Sequence, residues 1–181
     1  MSEEIETPSW FVLRDLKRPN AKEPAYKTLP MLGYKVFTPM HWVLRENSMG
    51  HQTKEYVPFI HGLIFAKAIR SDLDKIIDKT ETLQYRFIKG AQKTPMTVPM
   101  NEMEQFIKSV TADHASCIYY SPEDVTPEML GKEVMIVGGA LDGTVGHLIT
   151  KRGSKKKRLM LQIKGLLIAS VEITDGFIRF V

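Results

Sequence analysis

From residue 128 to its end the chain shows no helical period. Five short apolar runs, at 134–137, 144–149, 158–163, 169–173 and 178–181, are separated by glycines or polar turns. Runs of that length, without a three-to-four-residue repeat, read as strands rather than helices. A small unit made only of short strands has exposed edges, and closing the sheet on itself removes them. The expectation for residues 128–181 is a small all-β barrel. A unit that small buries only about 60% of its unfolded surface, so it should be the less stable part of the chain.

The first 110 residues mix the two periods. Residues 10–13 form an apolar strand that runs into a polar loop at 14–19. Asn20 is placed to cap a helix through 21–32, with Pro24 in its first turn and Pro30 and Gly33 at its end. Residues 35–38 read as a second strand. Residues 42–44 and 54–58 flank a turn signal at 45–50, which predicts a protruding hairpin. The run 62–66 suits a central strand covered on both faces. Ser71 or Asp72 caps a helix to Lys79 that carries Leu73, Ile76 and Ile77 on one side. A strand at 85–88 follows, then an amphipathic helix at 99–110 with Met103, Phe106, Ile107 and Val110 aligned. The order β-α-β-β-α-β-α makes the chain α+β, with a four-stranded antiparallel sheet backed by helices in a ferredoxin-like arrangement. Residues 111–127 lack a period and read as a linker, with room for one short strand at 117–120.

Charge separates the two halves. Residues 1–125 hold 16 Lys/Arg against 16 Asp/Glu, whereas 126–181 hold 9 against 5, so the net +4 lies wholly in the last third. That asymmetry fits an acidic or nucleic-acid partner there, or a solvated hairpin tip, since Arg152 and Lys155–Arg158 supply most of it. The N-terminus is acidic with no apolar core of a signal peptide, and no apolar stretch is long enough to span a membrane, so a cytoplasmic location is expected. Cys117 is the only cysteine, which excludes an intramolecular disulfide and argues against structural zinc. The histidines at 41, 51, 61, 114 and 147 are scattered, and no nucleophile elbow, phosphate loop or metalloprotease helix is present. No metal, no cofactor and no enzymatic activity are expected.

Two stretches carry a family resemblance. Between 131 and 148, Gly131, Val134, Ile136, Gly139, Leu141, Gly143, Gly146 and Leu148 resemble a KOW motif, with alternating core positions and glycines at turns. Earlier, Trp10-Phe-Val-Leu, Phe37-Thr-Pro39 and the run 57–66 are similar, in matching order, to the N-terminal (NGN) domain of the NusG family of transcription factors. Pro58, Gly62 and Phe65 match that family's pattern, while His61 replaces a proline and Leu63 a tyrosine. The resemblance implies an NGN domain at 8–110, a linker at 111–127 and an SH3-like KOW barrel at 128–181. The Trp42 arm and the ending 165–173 resemble specialised UpxY-type paralogs of Bacteroides, antiterminators at surface-polysaccharide operons.

The resemblance also implies partners. A monomeric elongation or antitermination factor would dock its NGN domain on the clamp helices of the largest RNA polymerase subunit. The matching segment supplies Ile60, His61, Gly62, Leu63 and Phe65, with Phe37 and Trp10 adjoining. Trp10 and Phe65 fit a sheet core equally well, and a charge at Leu63 is expected to remove polymerase binding with the fold intact. Arg14, Lys17, Arg18 and Lys22 stand where such paralogs touch displaced non-template DNA, or form an ordinary solvated loop. Arg152, Lys155, Lys156, Lys157 and Arg158 would meet nascent RNA or remain a soluble loop. The KOW barrel binds a ribosomal protein or the Rho terminator in the general family. The alternative is a KOW-containing RNA- or ribosome-binding module without polymerase action.

Overall fold

The computed structural model describes residues 6–150 and 153–181. They divide into two compact units, one ending at Met100 and the other beginning at Asn101.

The first unit runs β1 (Ser9–Asp15), α1 (Ala25–Met31), β2 (Lys35–Phe37), β3 (Met40–Glu46), β4 (Gln52–Pro58), β5 (Leu63–Ala68), α2 (Arg70–Lys79), β6 (Leu83–Tyr85) and β7 (Thr97–Val98). β1 is the organising strand. Its N-terminal part pairs with β7, its C-terminal part with β6, and its other edge with β5 along its length, all antiparallel. β2 extends the sheet beyond β5, in the order β2-β5-β1-β6. Strand alternation splits β1 and β5 between two faces. Phe11, Leu13, Ile64, Ala66 and Ala68 pack with Leu29 of α1, Leu73 of α2 and Leu83. Trp10, Val12, Leu63 and Phe65 point the other way and are also buried, which is why both strands read as continuous apolar runs.

The first helix begins at Ala25 rather than 21. Pro24 pushes the residue before it out of the helical region, and its own backbone is extended. The exposed backbone donors of the helix start are met from outside: the Asp15 carboxylate, at the end of β1, accepts from the Ala25 N–H at 2.6 Å and the Lys17 N–H at 3.0 Å. At the other end Gly33 and Tyr34 donate back to the Pro30 and Leu29 carbonyls. On α2, Asp74 accepts from the Tyr85 hydroxyl of β6 at 2.7 Å. Burial first, then this bond, holds the Tyr85 phenol well above its usual range.

The predicted arm is present as a separate two-stranded sheet, β3 paired with β4 from Met40↔Pro58 to Glu46↔Gln52. Asn47 turns its tip, its side-chain oxygen accepting from the Met49 and His51 amides.

The second unit contains α3 (Met100–Ala112) from its second residue on, β8 (Ile118–Tyr120), β9 (Glu133–Val137), β10 (Val145–Thr150), β11 (Lys157–Ile163), β12 (Leu167–Glu172) and β13 (Phe177–Phe180). Helix α3 buries Met103, Phe106, Ser109 and Val110. Ser109 is on that face because its hydroxyl shares a buried hydrogen bond with Thr144 at 3.2 Å, and Gln105 Nε2 donates to the Gly143 carbonyl at 2.6 Å. All five expected strands form. The expected SH3-like barrel does not. The strands make an open six-stranded antiparallel sheet in the order β13-β9-β10-β11-β12-β8, with β13 and β8 as its two edges. β8, from the expected linker, takes the free side of β12, and β13 pairs only with β9. Apolar run length and glycine turns are shared by open and closed sheets. Closure is a long-range pairing that they do not encode. Of the glycines, Gly146 on β10 is held by contact rather than by backbone angle: a Cβ there would lie 2.5 Å from the Met160 carbonyl oxygen.

Candidate functional site

The turn ahead of β5 is pinned to the end of β1. The Asp15 N–H donates to the Gly62 carbonyl at 2.9 Å, and a Cβ on Gly62 would sit 2.4 Å from the Asp15 carbonyl oxygen. Gly62 also has φ +76, where other residues are strained. This lock turns the His61 side chain outward into solvent and leaves Ile60 half-buried beside it.

Around this turn opens a cleft of about 320 Å³ lined by Leu13, Arg14, Ile60, His61, Gly62, Leu63 and Arg86. Arg14 lies opposite Leu63 in the β1–β5 register. Arg86 follows β6, and its backbone N–H donates to the Val12 carbonyl at 2.8 Å. Both guanidinium groups are exposed, no acidic residue lines the cleft, and among the described residues neither is ion-paired. Two planar five-donor groups with an imidazole beside them suit an anion with several oxygens, such as a phosphodiester. A smaller crevice shares His61, Gly62 and Leu63 with the cleft and adds Lys17 and Arg18.

Arg14, Lys17 and Arg18 of the expected basic cluster thus converge on the His61 turn. Lys22 is exposed but lines neither opening, and Lys17 is partly engaged, its Nζ donating to the Glu23 carbonyl at 2.6 Å. Arg86 was not singled out from sequence. Only the β1–β6 pairing brings it beside Arg14, and no spacing between residues 14 and 86 signals that.

The expected apolar patch is mostly interior. Trp10 and Phe65 are 0% exposed and Leu63 is 3% exposed. A charge at Leu63 would therefore break the sheet rather than report on a surface contact, which corrects the expectation of an intact fold. Phe37 is half-buried against Phe65, ring centroids 6.1 Å apart. Ile60, His61 and Phe37 are the members that reach the surface. The arm adds apolar surface beyond them: Trp42 and Tyr56 face each other across β3 and β4 at 5.0 Å, 63% and 45% exposed, with Leu44 on the same side. The opposite side carries the Arg45–Glu55 ion pair at 2.8 Å.

The basic run near 155 divides by role. Arg152 lies outside the described residues. Lys156 pairs with Glu172 at 3.0 Å. Arg158 turns inward: Nε donates to Ser170 Oγ at 2.6 Å, and the guanidinium also bonds the Ser170 and Ser116 carbonyls. It is a structural hydrogen-bond centre, and Lys155 and Lys157 are the exposed cations that remain. Cys117, beside this network, has its thiol pushed up to about 11 by burial, which outweighs the lowering from Tyr119 and Arg158. Of the glycine-punctuated segment, Val134, Ile136 and Leu141 are core, and Gly139 and Gly143 lie in the β9–β10 turn. Among the described residues no cluster of His, Cys, Asp or Glu could hold a metal ion, and no helix is long and apolar enough to cross a membrane.

A family model, transcription termination factor nusG, matches residues 8–107, more than half of the chain, and the chain belongs to the NusG family. Members of that family are regulatory factors and not enzymes. A solved structure described as "Domain interaction in Thermotoga maritima NusG" is similar at 12% identity over 97% of this chain and 98% of that one, with a TM-score of 0.45. No curated protein sequence matches.

Proposed function

We propose that this protein is a transcription elongation or antitermination factor that binds RNA polymerase through an NGN domain at residues 8–110. The family match over 8–107 carries this reading. The polymerase contact is assigned to Ile60, His61 and Phe37, which stand at the surface, with Trp10, Leu63 and Phe65 supporting them from inside. The neighbouring Arg14–Arg86–His61 cleft is assigned to the backbone of a displaced DNA strand, because two exposed guanidinium groups lining a cleft with no carboxylate favour phosphate. A nucleic-acid contact beside the polymerase contact supports action at particular operons, as in the UpxY-type paralogs. Residues 131–148 are assigned to a KOW-type hairpin embedded in the open sheet. The mechanism is mechanical: the bound factor holds the polymerase in its elongating form and consumes no cofactor.

The test is capture of purified bacterial RNA polymerase on the immobilised full chain, wild type against Ile60→Asp. Retention by wild type with at least tenfold loss in the variant is expected. Retention of RNA or ribosomes without polymerase would replace this reading with an RNA- or ribosome-binding module.

A further inference from the structure

The second sheet is open, and its two edges differ. β13 ends the chain, whereas β8 is a three-residue strand from the connection that follows α3, laid against a six-residue acceptor. Ile118, Tyr119 and Tyr120 pair with Ser170, Ala169 and Ile168 of β12, while β12 pairs with β11 over all six of its residues. β12 is buried from Leu167 to Val171, but Ile118 stays nearly half exposed. The acceptor strand keeps its full pairing with β11 if β8 leaves, whereas β8 has β12 as its one strand neighbour among the described residues and is further held by the partly buried Tyr119 and Tyr120.

Both ends of β8 are closed by structure that does not involve β12. Before it, the Ser116 and Cys117 amides donate to the Asp113 carbonyl, and the Ser116 amide also reaches Asp113 Oδ1 at 3.2 Å. After it, Ser121 and Asp124 bond each other's side chain and backbone in a capping box. The hydrogen bonds of both turns are local, which suits them to act as hinges. Arg158 bridges the strand to its acceptor, bonded at once to the Ser116 carbonyl on the β8 side and to Ser170 Oγ and carbonyl on β12. Short edge strands with few supports open ahead of the rest of a fold, and an opened edge accepts an extended segment through its backbone.

We propose that β8 is an exchangeable edge strand, latched by Arg158, whose release opens β12 to an extended aliphatic–aromatic strand of a partner protein in the same antiparallel register. The intramolecular strand marks the site and competes for it. Tethered competitors act at effective concentrations of order millimolar, so the closed chain resists weak strands and yields to a longer or better-matched one.

The test uses the full chain and a fluorescent peptide copying residues 113–124. The variant Ile118→Gly, Tyr119→Ser, Tyr120→Gly vacates the edge and is expected to bind the peptide at least tenfold more tightly than wild type does. Failure to bind, with the β11 amides still protected, overturns the proposal. Hydrogen exchange of the wild type decides the matter independently, even if that variant does not fold. The β8 amides should exchange at least tenfold faster than those of β11, and Arg158→Ala should speed β8 further without altering β9. β8 and β11 amides exchanging together, with the same denaturant dependence, would show that β8 opens only when the sheet unfolds, and would end the idea.

Discussion

Asp15→Ala removes a single carboxylate from the junction of β1, α1 and the turn before β5. The Ala25 N–H loses a buried 2.6 Å bond and the Lys17 N–H a partly buried 3.0 Å bond. A buried donor left unmade costs about 1–3 kcal/mol, and loss of a helix N-terminal cap costs about 1 kcal/mol on its own. Ala25 stays dry and takes the upper part of that range, while water reaches Lys17 and reduces its share. The sum is about 2–4 kcal/mol, a large fraction of the stability of an ordinary domain. Asp15→Asn keeps one acceptor but turns an amide donor towards the other N–H, so it should fall between wild type and alanine. Urea unfolding followed by tryptophan fluorescence suits the measurement, because Trp10 is fully buried on β1 and reports this unit, while exposed Trp42 contributes a nearly constant signal. A loss below about 1 kcal/mol for alanine, or an asparagine variant as stable as wild type, would show that the two amides find other partners and that this account of the junction is wrong.

Three further outcomes are expected. Gly146→Ala should cost about 1–3 kcal/mol, the usual range for overpacking, because its Cβ meets the Met160 carbonyl, which belongs to backbone and cannot swing away; denaturant midpoints of the second unit would read it, and a neutral effect would contradict the close approach. Alkylation of Cys117 by iodoacetamide should still climb nearly tenfold per pH unit between pH 8 and 10, since its thiol titrates near 11, whereas a plateau near pH 9 would signal an ordinary exposed thiol. The pair Arg14→Ala and Arg86→Ala should weaken single-stranded DNA binding at low salt and lower the slope of log affinity on log salt by about 1.4, the value for two lost phosphate contacts. An unchanged slope would remove the cleft from the interface.

What the sequence reveals here is local. All five apolar runs after residue 128 are strands, and the arm at 40–58 forms as its turn residues demand. The misjudged features depend on partners far along the chain. Closure of the five strands needed β13 to meet β12, and instead β13 pairs only with β9 while β12 takes β8 on its free side. Asn20 has good capping chemistry, but Pro24 and the distant Asp15 carboxylate set where α1 starts. By hydrophobicity Ile107 belongs on the apolar side of α3 ahead of Ser109, and the Thr144 hydroxyl accounts for the serine being inside. At the candidate site, Arg14 and the His61 turn were visible as residues, while Arg86 joins them only through strand pairing. A charge run such as 155–158 cannot show that its last member faces inward, because guanidinium is polar enough for solvent and flat enough to bridge three partly buried acceptors.

The central position of β1 has a consequence during synthesis. Trp10 on this strand pairs with Val98, about 90 residues later, and no strand paired with β1 begins before Leu63. At ribosomal speeds of about 5–20 residues per second, the apolar stretch from Trp10 to Leu13 is made early and waits roughly 5–20 s for its last neighbour. The β3–β4 hairpin, whose partners are at most 18 residues apart, can close while β1 is still waiting. The nascent chain therefore carries residues 10–13 uncovered while the hairpin and both helices of the first unit are made.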